Sequence, residues 1–178
     1  MLQKRTFIAL AFLAVVGAAT AYKLTRPDPH VRDAKSRPTP GVPAIVAAEL
    51  DELELAESSK PTVRLKKEGS EWKLVEPVVD RADQKAVEAA LKTLAKLKWK
   101  DVVAEQASSY EKLQVKDDQV LRVVPKKAGS AVATLLIGKT GRVRVGEDPR
   151  VWEVMDLTRY SLAREVKMWR DREILRVE

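Results

Sequence analysis

One pattern occurs twice in this chain, eighty positions apart. Val63-Arg64-Leu65 and Val143-Arg144-Val145 are each followed, nine residues after the valine, by a tryptophan, Trp72 and Trp152, and then by a charged residue and two apolar ones. Alternation of period two puts every second side chain on one face of a strand. Each copy therefore reads as two strands joined by a turn, with a large aromatic early in the second strand. A chain that carries this arrangement twice is constrained to bury two tryptophans at equivalent places.

The rest of the first copy extends the pattern. Leu53 and Leu55 share a face of a strand near 49–57, Ser58-Ser59-Lys60-Pro61 breaks it, and Glu68-Gly69-Ser70 makes the tight turn before Trp72 and Leu74. Pro77 ends that strand. Asp80 is placed to cap a helix running to about Trp99, in which Val87, Ala90, Leu91, Leu94 and Leu97 form one apolar stripe. Lys96, Lys98 and Lys100 at its C-terminal end suit the helix dipole.

The second copy follows the same plan. Ser108 and Glu111 fit a capping box for a short helix over 108–113. Strands are expected near 119–125, 131–137, 142–145 and 151–155, with 138–141 as a turn and Asp148-Pro149 as a break. A final helix from about Leu157 to Arg172 turns Leu162, Val166 and Trp169 to one side. The expected fold class is α+β: two pseudo-repeated antiparallel hairpin-plus-helix units, about 49–105 and 106–178, preceded by an N-terminal transmembrane helix. Trp72, Trp152, Leu91 and Leu94 are the structural core of that reading, each tryptophan packing under its helix.

Ahead of the domain, Lys4 and Arg5 precede the uncharged run Thr6 to Tyr22. Its length approaches the roughly 17 to 25 residues that span a bilayer, and no polar residue interrupts it to make a solvent face. Residues 1–24 are read as a membrane anchor, with a cleaved signal ending at Ala19-Thr20-Ala21 as the alternative. Residues 25–43 hold five prolines, which makes them an extended spacer in front of a domain at 44–178. The single histidine, His30, is a solvated residue of that spacer.

Composition excludes several classes. With no cysteine there is no disulfide framework, thiolate metal site or cysteine nucleophile. The net charge of +7 is concentrated in residues 1–43, which carry +5 and leave +2 for the domain. Nucleic-acid binders carry positive charge on the folded surface, so no nucleic-acid partner is expected. Cations beside an apolar anchor favour anionic lipid head groups.

Three stretches invite a chemical reading. Ala133 to Thr140 formally fits a loose phosphate-loop pattern, yet Thr-Leu-Leu-Ile are strand formers and the following residues read as another strand rather than the helix that such chemistry needs. The acidic run Glu49, Asp51, Glu52, Glu54 and Glu57 contains no glycine for a calcium-type turn. A solvated strand face accounts for it. The basic group Lys126, Lys127, Lys139, Arg142 and Arg144 is a candidate contact for an anionic partner, although charges that protect a strand edge would look the same. No catalytic residue, cofactor or metal site is assigned.

The segment WKLVEPVVDRADQKAVEAALKTLAKLKWKDVVAE, with LLIGK and VWEV after it, resembles the bacterial family called domain of unknown function 4340 over roughly residues 50 to 175. The resemblance implies a protein held by one N-terminal segment in the bacterial inner membrane, with its domain facing the periplasm or exterior. It also implies the company of gliding-motility-type ABC-transporter auxiliary proteins, and it carries no activity and no catalytic residues. Two departures stand out: Tyr110-Glu111-Lys112-Leu113 lacks the glycine usual after the tyrosine, and longer members continue beyond the equivalent of Glu178. The expectation is a membrane-tethered, non-enzymatic domain that docks in an envelope or ABC-transporter-type assembly. Its alternative is a periplasmic domain that binds a small or polymeric anionic ligand.

Overall fold

Strand alternation governs most of the domain, and helix much less of it. The computed structural model describes residues 39–157 and 159–172. Ten strands form one antiparallel sheet: β1 (Glu52–Glu57), β2 (Lys60–Glu68), β3 (Glu71–Glu76), β4 (Asp80–Arg81), β5 (Lys98–Ala104), β6 (Leu121–Lys127), β7 (Ser130–Ala131), β8 (Leu135–Ile137), β9 (Arg142–Val145) and β10 (Val151–Met155). Their order is β4-β3-β2-β1-β6-β8-β9-β10-β5, with β7 paired to β6 off this path.

The twice-written pattern occupies two hairpins of this sheet. β2 turns into β3 through Gly69, whose φ of +62° suits a residue without a side chain, and β9 pairs with β10 so that Trp152 lies opposite Val143. Between them stand β1, β6 and β8. Leu53, Leu55, Val63, Leu65, Trp72, Leu74, Leu121, Val123, Leu135, Ile137 and Val143 are all buried, and they join in one core cluster.

Helix α1 (Gln84–Ala95) covers that face with Val87, Ala90, Leu91 and Leu94. Asp83 caps it by accepting from the Ala86 N–H at 3.0 Å. The Gln84 side chain then accepts from the Trp72 N–H and donates to the Trp72 carbonyl, both at 2.9 Å, tying the first helical turn to β3. The expected span from Asp80 to Trp99 is too long at both ends. Asp80 and Arg81 pair with Leu74 and Lys73 as β4. Trp99, Val102 and Val103, bulky strand formers, continue as β5 after the helix stops at its cap, Lys96.

α1 leaves one edge of the sheet and delivers the chain to the other. Twelve residues make a helix about 18 Å long. A flat path of nine strands would be on the order of 38 Å wide, so the sheet curls around the helix to bring its edges within reach.

The two-unit α+β plan is therefore corrected. The only other α-helix among the described residues is α2 (Tyr110–Leu113), a single turn following a 3-10 turn at Ala107–Ser109; no side-chain cap forms at its start, so the Ser108 capping box is not made. The expected strand over 131–137 is split into β7 and β8. The expected helix from Leu157 to Arg172 contains two 3-10 turns, Arg159–Ser161 and Val166–Met168, separated by extended backbone at Glu165. Its last residues are spent on pairing: Asp83 N–H donates to the Trp169 carbonyl at 2.8 Å and Asp171 N–H to the Arg81 carbonyl at 2.9 Å, around a bridge between Ala82 and Arg170. A backbone that feeds a neighbouring strand cannot also close helical hydrogen bonds.

The halves also interlock, since β1 pairs with β6 and β5 with β10. Trp152 is fully buried, but against Trp99 of β5, with ring centroids 6.2 Å apart at 75°, rather than under a helix. Among the described residues no helix is long and apolar enough to cross a membrane. The anchor expected at 1–24, and the spacer through residue 38, lie outside the described residues.

Candidate functional site

The five basic residues singled out by sequence do not form one patch. Lys126 Nζ reaches Glu52 at 2.6 Å and Glu54 at 3.1 Å; the hydrogen bond to Glu52 is the chief reason its pKa is raised. Lys127 pairs with Glu49 at 2.6 Å. Arg144 donates to Asp117 Oδ1 at 2.7 Å and to the Val115 carbonyl at 3.0 Å, with its guanidinium 4.0 Å from the Tyr110 ring centre. Arg142 donates to Thr140 Oγ1 at 3.1 Å, and Lys139 is exposed in the turn after β8.

Register explains the scatter. Arg144 lies opposite Leu136, Leu136 lies opposite Arg122, and Lys126 is four residues further along β6, about 13 Å away. The acidic run is the other half of the same pairing. Glu49, Glu52 and Glu54 are the partners just named, Asp51 accepts from the Ala128 N–H at 2.7 Å, and Glu57 pairs with Lys60 at 2.8 Å and with Arg159. Among the described residues no group of three or more metal-ligating side chains comes together.

The phosphate-loop-like stretch is strand, turn and strand, with Leu135, Leu136 and Ile137 of β8 paired to Val145, Arg144 and Val143 of β9. Its glycine is needed for packing. A Cβ at Gly138 would lie 2.8 Å from Val115 Cγ1 and 2.9 Å from the Gln114 carbonyl oxygen.

The two edges of the sheet differ. The β4 edge is closed by the Trp169 to Asp171 backbone and by the Asp80–Arg170 ion pair, whose hydrogen bond holds the Asp80 carboxyl below its ordinary pKa. The β5 edge is open: its backbone pairs with β10 on one side, and no backbone partner lies on the other among the described residues. Lys96 and Lys98 stand exposed beside it without acidic partners among the described residues, while Lys100 pairs with Glu153 at 3.1 Å. Val103 is exposed on the same strand. Sequence reasoning ran the helix over its first two residues, Lys98 and Trp99, and assigned no strand to the rest, although the Trp-Lys-Asp-Val-Val run after Lys98 carries a strand composition.

Two concavities flank the C-terminal end of β1. A polar groove of about 590 Å³ is lined by Ser58, Arg122, Thr134 and Arg144 together with Glu57, Asp117 and Glu147. An apolar cavity of about 300 Å³ lies between β1, β2 and the segment from Leu162 to Trp169. Glu57 borders both. Burial raises its pKa, but hydrogen bonds and charge from Lys60 and Arg159 outweigh this and hold the carboxyl below its ordinary value.

These features define an antiparallel β-sheet protein curled around helix α1, with one edge closed and the other, among the described residues, open. The family model described as Domain of unknown function (DUF4340) matches residues 72–178, and the chain belongs to that family. No curated protein and no solved structure matches it.

Proposed function

We propose that this chain is a membrane-tethered, non-enzymatic extracytoplasmic docking domain, which accepts an extended acidic segment of another cell-envelope protein as an added strand on β5. The observation that carries this reading is the contrast between the edges. Unpaired strand edges invite addition of another chain, and folds usually cover them. Here the fold covers the two-residue β4 with its own C-terminal segment and leaves the seven-residue β5 with no backbone partner on its outer side among the described residues. Exposed Lys96 and Lys98, without internal acidic partners among the described residues, favour carboxylates on the incoming strand. The uncharged run from Thr6 to Tyr22 supports the tether.

The test is site-specific photo-crosslinking of the full chain in its native membranes. A photoreactive residue at Val103 is expected to capture one envelope protein through an acidic peptide, and Lys96→Glu with Lys98→Glu should abolish capture. The same probe at Tyr160, 82% exposed and off the sheet, serves as the control. Equal capture at both positions, or capture indifferent to the charge reversal, would remove β5 as the docking edge.

A further inference from the structure

The apolar cavity has features that the docking reading does not use. Its buried lining is Leu55, Val63, Leu121, Leu162 and Trp169, with half-buried Val166 beside them. A packed β-sheet core of this size normally leaves few voids larger than a water molecule. A volume of about 300 Å³ is that of roughly ten liquid waters, so the space accepts on the order of eight to ten methylene-sized groups. Solvent is a poor occupant, because water needs two or more polar partners and the lining offers few.

One charged side chain on the lining lacks a carboxylate partner among the described residues. Lys60, on the lining, shares Glu57 with Arg159, and Glu165 pairs with Lys167 at 2.6 Å. Arg164 has no carboxylate partner among the described residues. Its Nε donates to the Ser161 carbonyl at 3.1 Å and its guanidinium sits 5.4 Å from the Trp169 ring centre, which leaves the terminal NH2 groups unengaged. Arg164 is therefore the lining cation that has no carboxylate at all among the described residues.

We infer that this cavity binds a medium-chain alkyl carboxylate, with the chain against Leu55, Val63 and Leu121 and the carboxylate held by Arg164. An alkyl chain matches the lining, and a carboxylate is the planar acceptor that a free guanidinium fork recognises. An alkyl amine would place a like charge beside Arg164, and an alcohol would forgo the charge-assisted bond.

The test uses the full chain in lipid nanodiscs, labelled with octanoate bearing a terminal diazirine and mapped by mass spectrometry. Labelling is expected on the Leu162 to Trp169 segment and on β1 or β2, competed by octanoate but not by octanol or octylamine at the same concentration. Arg164→Gln, a half-buried position outside the main core, should raise the octanoate competition midpoint about tenfold or more, as loss of a charge-assisted hydrogen bond does. Ala163→Phe should fill the cavity and abolish labelling. Equal competition by octanol, a midpoint unchanged in Arg164→Gln, or labelling that survives Ala163→Phe would each overturn the assignment.

Discussion

Among the described residues Arg159 is the one charged side chain that is buried, and it pairs with Glu57. Arg159 is 7% exposed and donates to the Gln119 carbonyl and to Glu57, while the Glu57 side chain is 17% exposed and also holds Lys60. The pair fastens the turn at Arg159–Ser161 over the C-terminal end of β1. Its two ends are unequal. Glu57→Gln leaves a buried guanidinium with no carboxylate, for which the expected cost is about 3 to 5 kcal/mol. Arg159→Met leaves Glu57 with Lys60 and some solvent, and the loss should be nearer 1 to 2 kcal/mol. Urea unfolding of the full chain, followed by tryptophan fluorescence, measures both. The pH dependence adds a sign. The folded pKa of Glu57 lies below its unfolded one, so the pair stabilises fully above the unfolded value of about 4.3 and loses its contribution as pH falls through the folded value. Arg159→Met should therefore flatten the acid limb of the stability profile. If Arg159→Met costs as much as Glu57→Gln, or leaves the acid limb unchanged, the asymmetry derived from Lys60 is wrong.

Three further outcomes follow from packing. Trp72→Ala and Trp152→Ala should each cost roughly 3 to 5 kcal/mol in the same unfolding assay, with Trp152 the dearer because it also loses its edge contact with Trp99; near-wild-type melting would refute their place in the core. Gly138→Ala forces a Cβ against the Gln114 carbonyl and should cost about 1 to 3 kcal/mol, whereas Gly41→Ala, with nothing within 4 Å, should be neutral; equal melting temperatures would refute the close approach. Fragments 44–105 and 106–178 should each remain unfolded alone and regain β circular dichroism when mixed, because β1 needs β6 and β10 needs β5. Independent cooperative unfolding of either fragment would contradict the interlocked sheet.

What was legible in the sequence was local. The alternation around Val63, Leu65, Trp72 and Leu74 is a property of neighbouring residues, and so are the glycine turn at Gly69 and the 3.6-residue stripe of Val87, Ala90, Leu91 and Leu94. All of these stand in the structure where pattern placed them. What escaped was decided between distant segments. The stretch Leu157 to Arg172 has helical spacing in Leu162, Val166 and Trp169, but its backbone is claimed by Arg81 and Asp83, some ninety residues earlier. Lys98 to Ala104 follows a strong helix without a proline or glycine to end it, and pairing with β10 fixes its strand-forming Trp99, Val102 and Val103 as a strand. The charged runs behave in the same way. Glu52 and Glu54 looked like a solvated face and Lys126 like a free cation, until β1 and β6 lay side by side and made them one network with Arg64. Lys96 and Lys98 by the open edge and Arg164 by the apolar cavity are among the cations left over once that pairing is complete, whereas of the cluster that sequence proximity had marked only Lys139 and Arg142 lack a carboxylate partner among the described residues. Net charge in a folded domain is best assigned after strand register is known, because a pair across two strands removes both members from the surface available to a partner. That is why the docking edge and the cavity, rather than the group from Lys126 to Arg144, carry the functional proposals for this chain.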